Sequence, residues 1–128
     1  MKNLYIALSL LAFSSSIVAQ NKDTKVADKL FSRYEYVDAL KEYQKLVDSG
    51  KADGYVYKQI ADANYNMFNT TEAIANYAKA TESNQDAETY FRYAQMLKAS
   101  GKYEEANKQM AKFANLAPND LRTKEFKQ

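Results

Sequence analysis

The chain has 128 residues, with 18 Lys and Arg against 16 Asp and Glu for a formal charge of +2, and it contains neither His nor Cys. Those absences exclude Ser-His-Asp and Cys-His nucleophile systems, the common zinc sites and any disulfide framework. The near balance of charge gives no sign of the clustered basic face that nucleic-acid binding needs, and the length leaves room for one small domain held by packing alone.

Residues 1–19 read as a cleavable secretory signal peptide. Met1, Lys2 and Asn3 form a short basic start, residues 4–13 are apolar, and 14–18 lead to Ala19. The cut is expected after Ala19, with Ile17 at the −3 position and Gln20 as the first mature residue. The apolar run falls short of the about 20 residues that a spanning helix needs, so no transmembrane segment is expected in the mature chain. No Cys follows it to carry a lipid anchor, and losing Lys2 leaves 17 basic against 16 acidic residues, a charge of +1. The alternative is an N-terminal buried or anchoring helix.

Beyond residue 20 nothing alternates apolar and polar residues at period two, and the apolar rows recur at three and four, so the class is all-α. Residues 21–34 start polar and then carry Val26, Ala27, Leu30 and Phe31 on one face. Residues 36–49 follow with Val37, Ala39, Leu40, Tyr43, Leu46 and Val47, and Gly50 stops them. After a linker at 51–53, Tyr57, Ile60, Ala61, Asn64 and Tyr65 form the next stripe.

The chain turns at 68–71, where Asn69 is expected to cap the following helix with its side chain and Glu72 to bond back in a capping box. That helix carries Ala73, Ile74, Tyr77 and Ala80. Ser83, Asn84, Gln85 and Asp86 are cap-forming residues ahead of a third pair, with Tyr90, Tyr93, Ala94 and Leu97 in its first stripe. Ser100, Gly101 and Lys102 turn the chain, and Tyr103, Ala106, Met110, Phe113 and Ala114 form the second stripe, ending at Leu116 ahead of Pro118. Residues 119–128 open a short amphipathic helix with Leu121 and Phe126 as its apolar residues. It reads as a minimal capping helix or as the start of a following domain, and continuation is the favoured reading.

Ala39, Ala73 and Ala106 recur at a nearly constant interval, followed in register by Tyr43, Tyr77 and Met110 and by Leu46, Ala80 and Phe113. A helix-turn-helix unit with this period, about 34 residues, resembles the tetratricopeptide repeat. In the third copy Tyr90, Tyr93, Ala94, Leu97, Ala106, Met110 and Pro118 occupy that family's signature places; in the second Tyr57, Ile60, Ala61, Ala73, Tyr77 and Ala80 do so, with departures at Asn64 and Gln85. The first copy keeps Ala27, Leu30, Ala39 and Tyr43 but has Asp23 where an aromatic is expected. The resemblance implies a right-handed α-solenoid of about three repeats, at about 21–50, 54–85 and 87–118, within a domain at 20–118.

A narrower resemblance rests on NKDTKVADKLF, DALKEYQKLVDSGKADGYVYKQIADANYNMFNTTEAIANYAKATE and DAETYFRYAQMLKASGKYEEANKQMAKFANLAPND. Together these are similar to the N-terminal region of Bacteroidota OmpA-family outer-membrane-associated proteins, some of them of the type IX secretion or gliding apparatus. There a signal peptide and repeat segment precede a β-propeller and an OmpA-like peptidoglycan-binding domain. The resemblance implies location in the periplasm or at the outer membrane, and contact with peptidoglycan only through a downstream domain that this sequence does not contain.

No Gly-rich phosphate loop and no cofactor or metal motif is present. Acid pairs occur at Glu35 with Asp38, Glu82 with Asp86, and Glu104 with Glu105, but their spacing fits caps and solvated faces better than a hydrolase. Asn69, Thr70 and Thr71 match a glycosylation sequon, which helix capping explains better. Tyr43, Tyr57, Tyr77, Tyr90, Tyr93 and Tyr103 read as packing residues with their hydroxyls at the rim.

In the resembled family the first helix of each pair lines the concave face. This implies a partner-binding groove of Asp28, Phe31 and Ser32 in the first copy, Tyr55, Lys58, Asp62, Tyr65 and Asn66 in the second, and Glu88, Phe91, Gln95 and Lys98 in the third. Tyr55, Tyr65 and Phe91 would anchor a peptide, with Lys58 and Lys98 near its acids or carboxyl end, although the set lacks the full basic, Asn-bearing pattern of repeats that clamp a C-terminal carboxylate. The expected function is a non-enzymatic, exported scaffold for protein partners of the cell envelope. Its rivals are a stand-alone periplasmic adaptor, a carboxylate-dependent cell-wall hydrolase using Glu82 or Asp86, and a surface that pairs with itself.

Overall fold

In the computed structural model residues 23–127 are described; the expected leader at 1–19 lies outside the described residues. Among the described residues there are seven α-helices and no strand: α1 (Lys25–Ser32), α2 (Tyr36–Asp48), α3 (Gly54–Asn66), α4 (Thr70–Ala80), α5 (Ala87–Ala99), α6 (Tyr103–Leu116) and α7 (Leu121–Phe126). They pack as three antiparallel hairpins, α1 with α2, α3 with α4 and α5 with α6, each stacked on the next, and α7 lies against α6. Among the described residues no helix is long and apolar enough to cross a membrane.

Local chemistry sets both ends of each hairpin. The first helices α3, α5 and α7 start at aspartates in extended conformation, which lets the carboxylate reach forward to a free backbone N–H. Asp53 Oδ1 accepts from Val56 N at 3.0 Å, Asp86 Oδ1 from Thr89 N at 3.0 Å, and Asp120 Oδ1 from Arg122 N at 2.9 Å.

The turns into the second helices use a different device, repeated three times. Glu35, Asn69 and Lys102 each donate a backbone N–H back to Leu30, Asn64 and Leu97, at 3.0, 2.8 and 2.9 Å. The residue before each is left-handed: Tyr34 at φ 63°, Phe68 at φ 59° and Gly101 at φ 77°. This is the Schellman closure, for which glycine is the low-strain choice. It also removes the expected capping box: Asn69, at ψ 81° rather than in the extended conformation of the capping aspartates, makes no side-chain cap. Its Nδ2 donates to Asn64 Oδ1 at 3.3 Å instead.

Close packing follows from the small residues. Ala39, Ala73 and Ala106 are buried where the paired helices cross, together with Ala61 and Ala94, and a larger side chain there would push the helices apart. Each hairpin completes its core with the next one's first helix: Val56 and Ile60 pack with Ala27, Ala39 and Tyr43, and Tyr93 packs with Ala61, Ala73 and Tyr77. Burying a ring such as Tyr43 or Tyr77 contributes about 2 kcal/mol, so no hairpin is complete alone.

Several stripe positions depart from expectation. Val26, Val37, Tyr103 and Leu116 are exposed, because each lies at a helix end beyond the reach of its neighbour. Tyr43 and Tyr77 are fully buried, and their hydroxyls do not sit at the rim: Tyr43 donates to Asp28, and Tyr77 to Asp62 at 2.6 Å.

Candidate functional site

The first helices α1, α3 and α5 carry all of the groove positions, and the fold sorts them into three neighbourhoods. At the N-terminal end, Asp28 accepts from Thr24 Oγ1 at 2.8 Å and from the Tyr43 hydroxyl. Tyr55 is exposed along one side; burial of its other side and the Asp28 carboxylate push its phenol well above the ordinary tyrosine range. Phe31 packs edge-on against Tyr36 with ring centres 5.4 Å apart, and Ser32 turns its hydroxyl back to Lys29 O.

The middle neighbourhood is polar and self-neutralised. Lys58, Asp62, Glu88 and Arg92 line a pocket of about 130 Å³ with Asp86 and Thr89. Asp62 is only 2% exposed and its carboxylate is met by Lys58 Nζ and Arg92 NH1, both at 3.3 Å, besides the Tyr77 hydroxyl. It is therefore a buried structural anion and not an open groove position. Asp86 is half committed to its cap: burial opposes its ionisation, but the Thr89 hydroxyl and amide, with Lys58 and Arg92 nearby, hold its carboxyl below the usual range. The Glu82 and Asp86 pair is thus not poised as acid and base, since one partner is fixed as a helix cap.

The third neighbourhood is open. Tyr65 and Asn66 at the end of α3 and Gln95 and Lys98 at the end of α5 line a cleft of about 610 Å³, with Phe68, Met96 and Tyr103. Gln95, Lys98 and Tyr103 also line an adjoining cleft of about 360 Å³ that reaches Phe91, Met110, Arg122 and Phe126. Tyr65 is braced by the Arg92 guanidinium, 5.2 Å from its ring centre. Phe91 is less free: it packs on Phe113, ring centres 5.4 Å apart, under the Arg122 guanidinium at 4.3 Å.

Of the eleven groove positions named apart from Ser32, the open clefts collect Tyr65, Asn66, Phe91, Gln95 and Lys98. Asp28, Phe31 and Tyr55 lie at the opposite end, and Lys58, Asp62 and Glu88 are tied into the polar pocket. Sequence reasoning passed over Phe68, Arg92, Met96 and Arg122, and placed Tyr103 in the core. One signal was available: Phe68 stands one repeat before Gly101, so a large aromatic fills a place where the turn favours glycine. Among the described residues no group of three or more acidic side chains could hold a metal ion.

No family model matches the chain, and no curated protein matches it. Solved structures do. The C-terminal part of a TPR repeat-containing protein from Cytophaga hutchinsonii superposes with a TM-score of 0.71 at 19% identity, over 78% of this chain and 40% of that one. This chain therefore spans less than half of that structure. Two structures of the type III secretion translocator chaperone SycD from Yersinia enterocolitica superpose with TM-scores of 0.65 and 0.64, each at 20% identity. They cover 84% and 90% of this chain, and 83% and 87% of theirs. The fold is a tetratricopeptide-like helical repeat.

Proposed function

We propose that the chain is an exported, non-enzymatic scaffold that holds a protein partner in the cell envelope, as the N-terminal module of a larger OmpA-like protein associated with peptidoglycan and the outer membrane. The observation that carries the binding role is the open cleft at the end of α3 and α5, where aromatic rings, two amides and a lysine face solvent on a rigid frame. The folds it resembles include a chaperone, a class of protein that holds other proteins. Export rests on the pattern of residues 1–19, and the envelope assignment rests on the resemblance of residues 21–120 to the OmpA-family repeat region. Peptidoglycan would be met by a domain outside this sequence.

The test is photocrosslinking in cells. A crosslinking residue at Tyr55, Gln95 or Lys98 should give a discrete protein adduct in the envelope fraction, whereas one at the exposed Ala75 of α4 should give none. Adducts confined to the cytosol, or none from any first-helix position, reject the reading.

A further inference from the structure

The cleft of about 610 Å³ does not run along the first-helix face. It sits at the edge where first helices turn into second ones, and its walls come from the end of α3, the turn after it, the end of α5 and the start of α6. Its exposed apolar surface is made by Tyr65, Phe68 and Tyr103, above the buried Met96; Phe68 is 71% exposed and Tyr103 64%. Asn66 and Gln95 add amides that can pair with both sides of an extended backbone. Lys98 is the one charged residue lining it, is exposed, and has no ion-pair partner among the described residues.

Phe68 holds a left-handed backbone that disfavours any residue with a Cβ, and the equivalent turn at Gly101 shows that glycine serves the same closure. Glycine would serve this turn at least as well as phenylalanine, and the Phe68 ring forms the lip of the cleft. An exposed apolar wall beside a single unpaired cation complements a segment of opposite chemistry: apolar at one side chain, anionic at a near one.

We infer that this turn-edge cleft is where the chain takes its partner, and that the occupant is an extended protein segment carrying an aromatic or aliphatic anchor beside a carboxylate. The anchor sits among Tyr65, Phe68 and Tyr103, and the carboxylate meets Lys98. The inference rests on the scaffold reading and narrows it to one edge and one ligand chemistry.

A random-peptide display library selected on the purified full chain tests it. Enriched peptides should carry Asp or Glu near an aromatic or aliphatic residue. They should lose at least about tenfold in affinity on Phe68→Gly, with the melting temperature of that variant equal to or above the parent's. Lys98→Glu should turn the selection toward Lys or Arg. No enrichment over a blank surface, enrichment without acids, or affinity unmoved by Phe68→Gly overturns the proposal. Sedimentation as a dimer that Phe68→Gly dissolves would make a second copy the occupant and also overturn it. An envelope adduct from Tyr55 or Gln95 together with any of these results leaves the scaffold reading standing.

Discussion

The Tyr77 hydroxyl lies 2.6 Å from Asp62, linking the two helices of the central hairpin through a phenol and a carboxylate that are both out of solvent. The same link stands one repeat earlier as Tyr43 to Asp28, there with Gln59 Nε2 also donating to the phenol at 3.1 Å. In the third hairpin the corresponding places hold Met110 and Met96. The polar rung is lost where the open cleft begins, and Met96 becomes part of its wall.

Tyr77→Phe should destabilise the protein by about 2 kcal/mol, since the ring still fills its place and only a charge-assisted hydrogen bond to a buried carboxylate is lost. Tyr43→Phe should cost about 1 to 2 kcal/mol: water can replace the phenol at the half-buried Asp28, but the buried Gln59 amide also loses its acceptor. Urea unfolding measures both. No loss at either position would contradict the part assigned to the buried phenol contacts.

The same burial governs alkaline behaviour. Removal from water, and then the facing aspartates, push the Tyr43, Tyr55 and Tyr77 phenols well above the ordinary tyrosine range. Folded values above the unfolded one mean that their contribution is fully present below about pH 10 and is lost as pH rises toward the folded values. Ultraviolet titration should show these three, together with Tyr93, whose phenol burial and Glu105 also push up, ionising late and together with unfolding. Ordinary titration of all of them while the helices persist would contradict it.

At the acid end the direction reverses. Asp86 has a lowered pKa in the folded state, so its cap is worth most above the unfolded aspartate value of about 3.9 and fades as pH falls through the folded one. Asp86→Ala should cost about 1 kcal/mol at neutral pH. The gap between variant and parent should narrow steadily as pH falls below about 3.9; a gap that does not narrow at all with acid would mean that packing, not the charge, is what the substitution removed.

The repeat was legible because its signals are local: a recurring period of about 34 residues, small side chains at 39, 73 and 106, and glycine or cap-forming residues at the ends. The site was less legible because first-helix positions look alike in sequence while their partners lie one repeat away. Asp62 reads as an open acid until Arg92 and Tyr77 close on it from the next helix and the paired one. Tyr103 reads as core by its place in the stripe, yet as the first residue of α6 it projects past the end of α5 into the cleft. Asn69 reads as a cap because the Schellman closure, which fixes its ψ, is a backbone device that no side chain announces.

The turns offer a pair of substitutions with opposite signs. A Cβ at Gly101 would meet nothing within 4 Å, so Gly101→Ala should cost about 1 kcal/mol from left-handed backbone strain alone. Tyr34 is 79% exposed at the equivalent place, and Tyr34→Gly should be neutral or stabilising by up to about 1 kcal/mol. Thermal melts of the two variants check the pair; if both destabilise alike, the Tyr34 contact with Tyr36, ring centres 6.3 Å apart, is worth more than the strain it offsets.

Arg122 covers the last hairpin. Its guanidinium lies 4.3 Å from the Phe91 ring centre and 4.8 Å from that of Phe113, and NH1 meets Glu88 Oε2 at 3.0 Å. Glu88 and Arg122 stand one repeat apart in the sequence, so α7 starts where the first helix of a fourth repeat would start. A partly exposed ion pair contributes little, so the cover, not the charge, should dominate. Arg122→Met should therefore cost less than about 1 kcal/mol, and Arg122→Ala about 1 to 2 kcal/mol. Raising salt should leave the loss in Arg122→Ala relative to the parent nearly unchanged, because most of it reflects apolar surface returned to water; losses in both variants that collapse with salt would assign the role to the ion pairs with Glu88 and Asp120 instead.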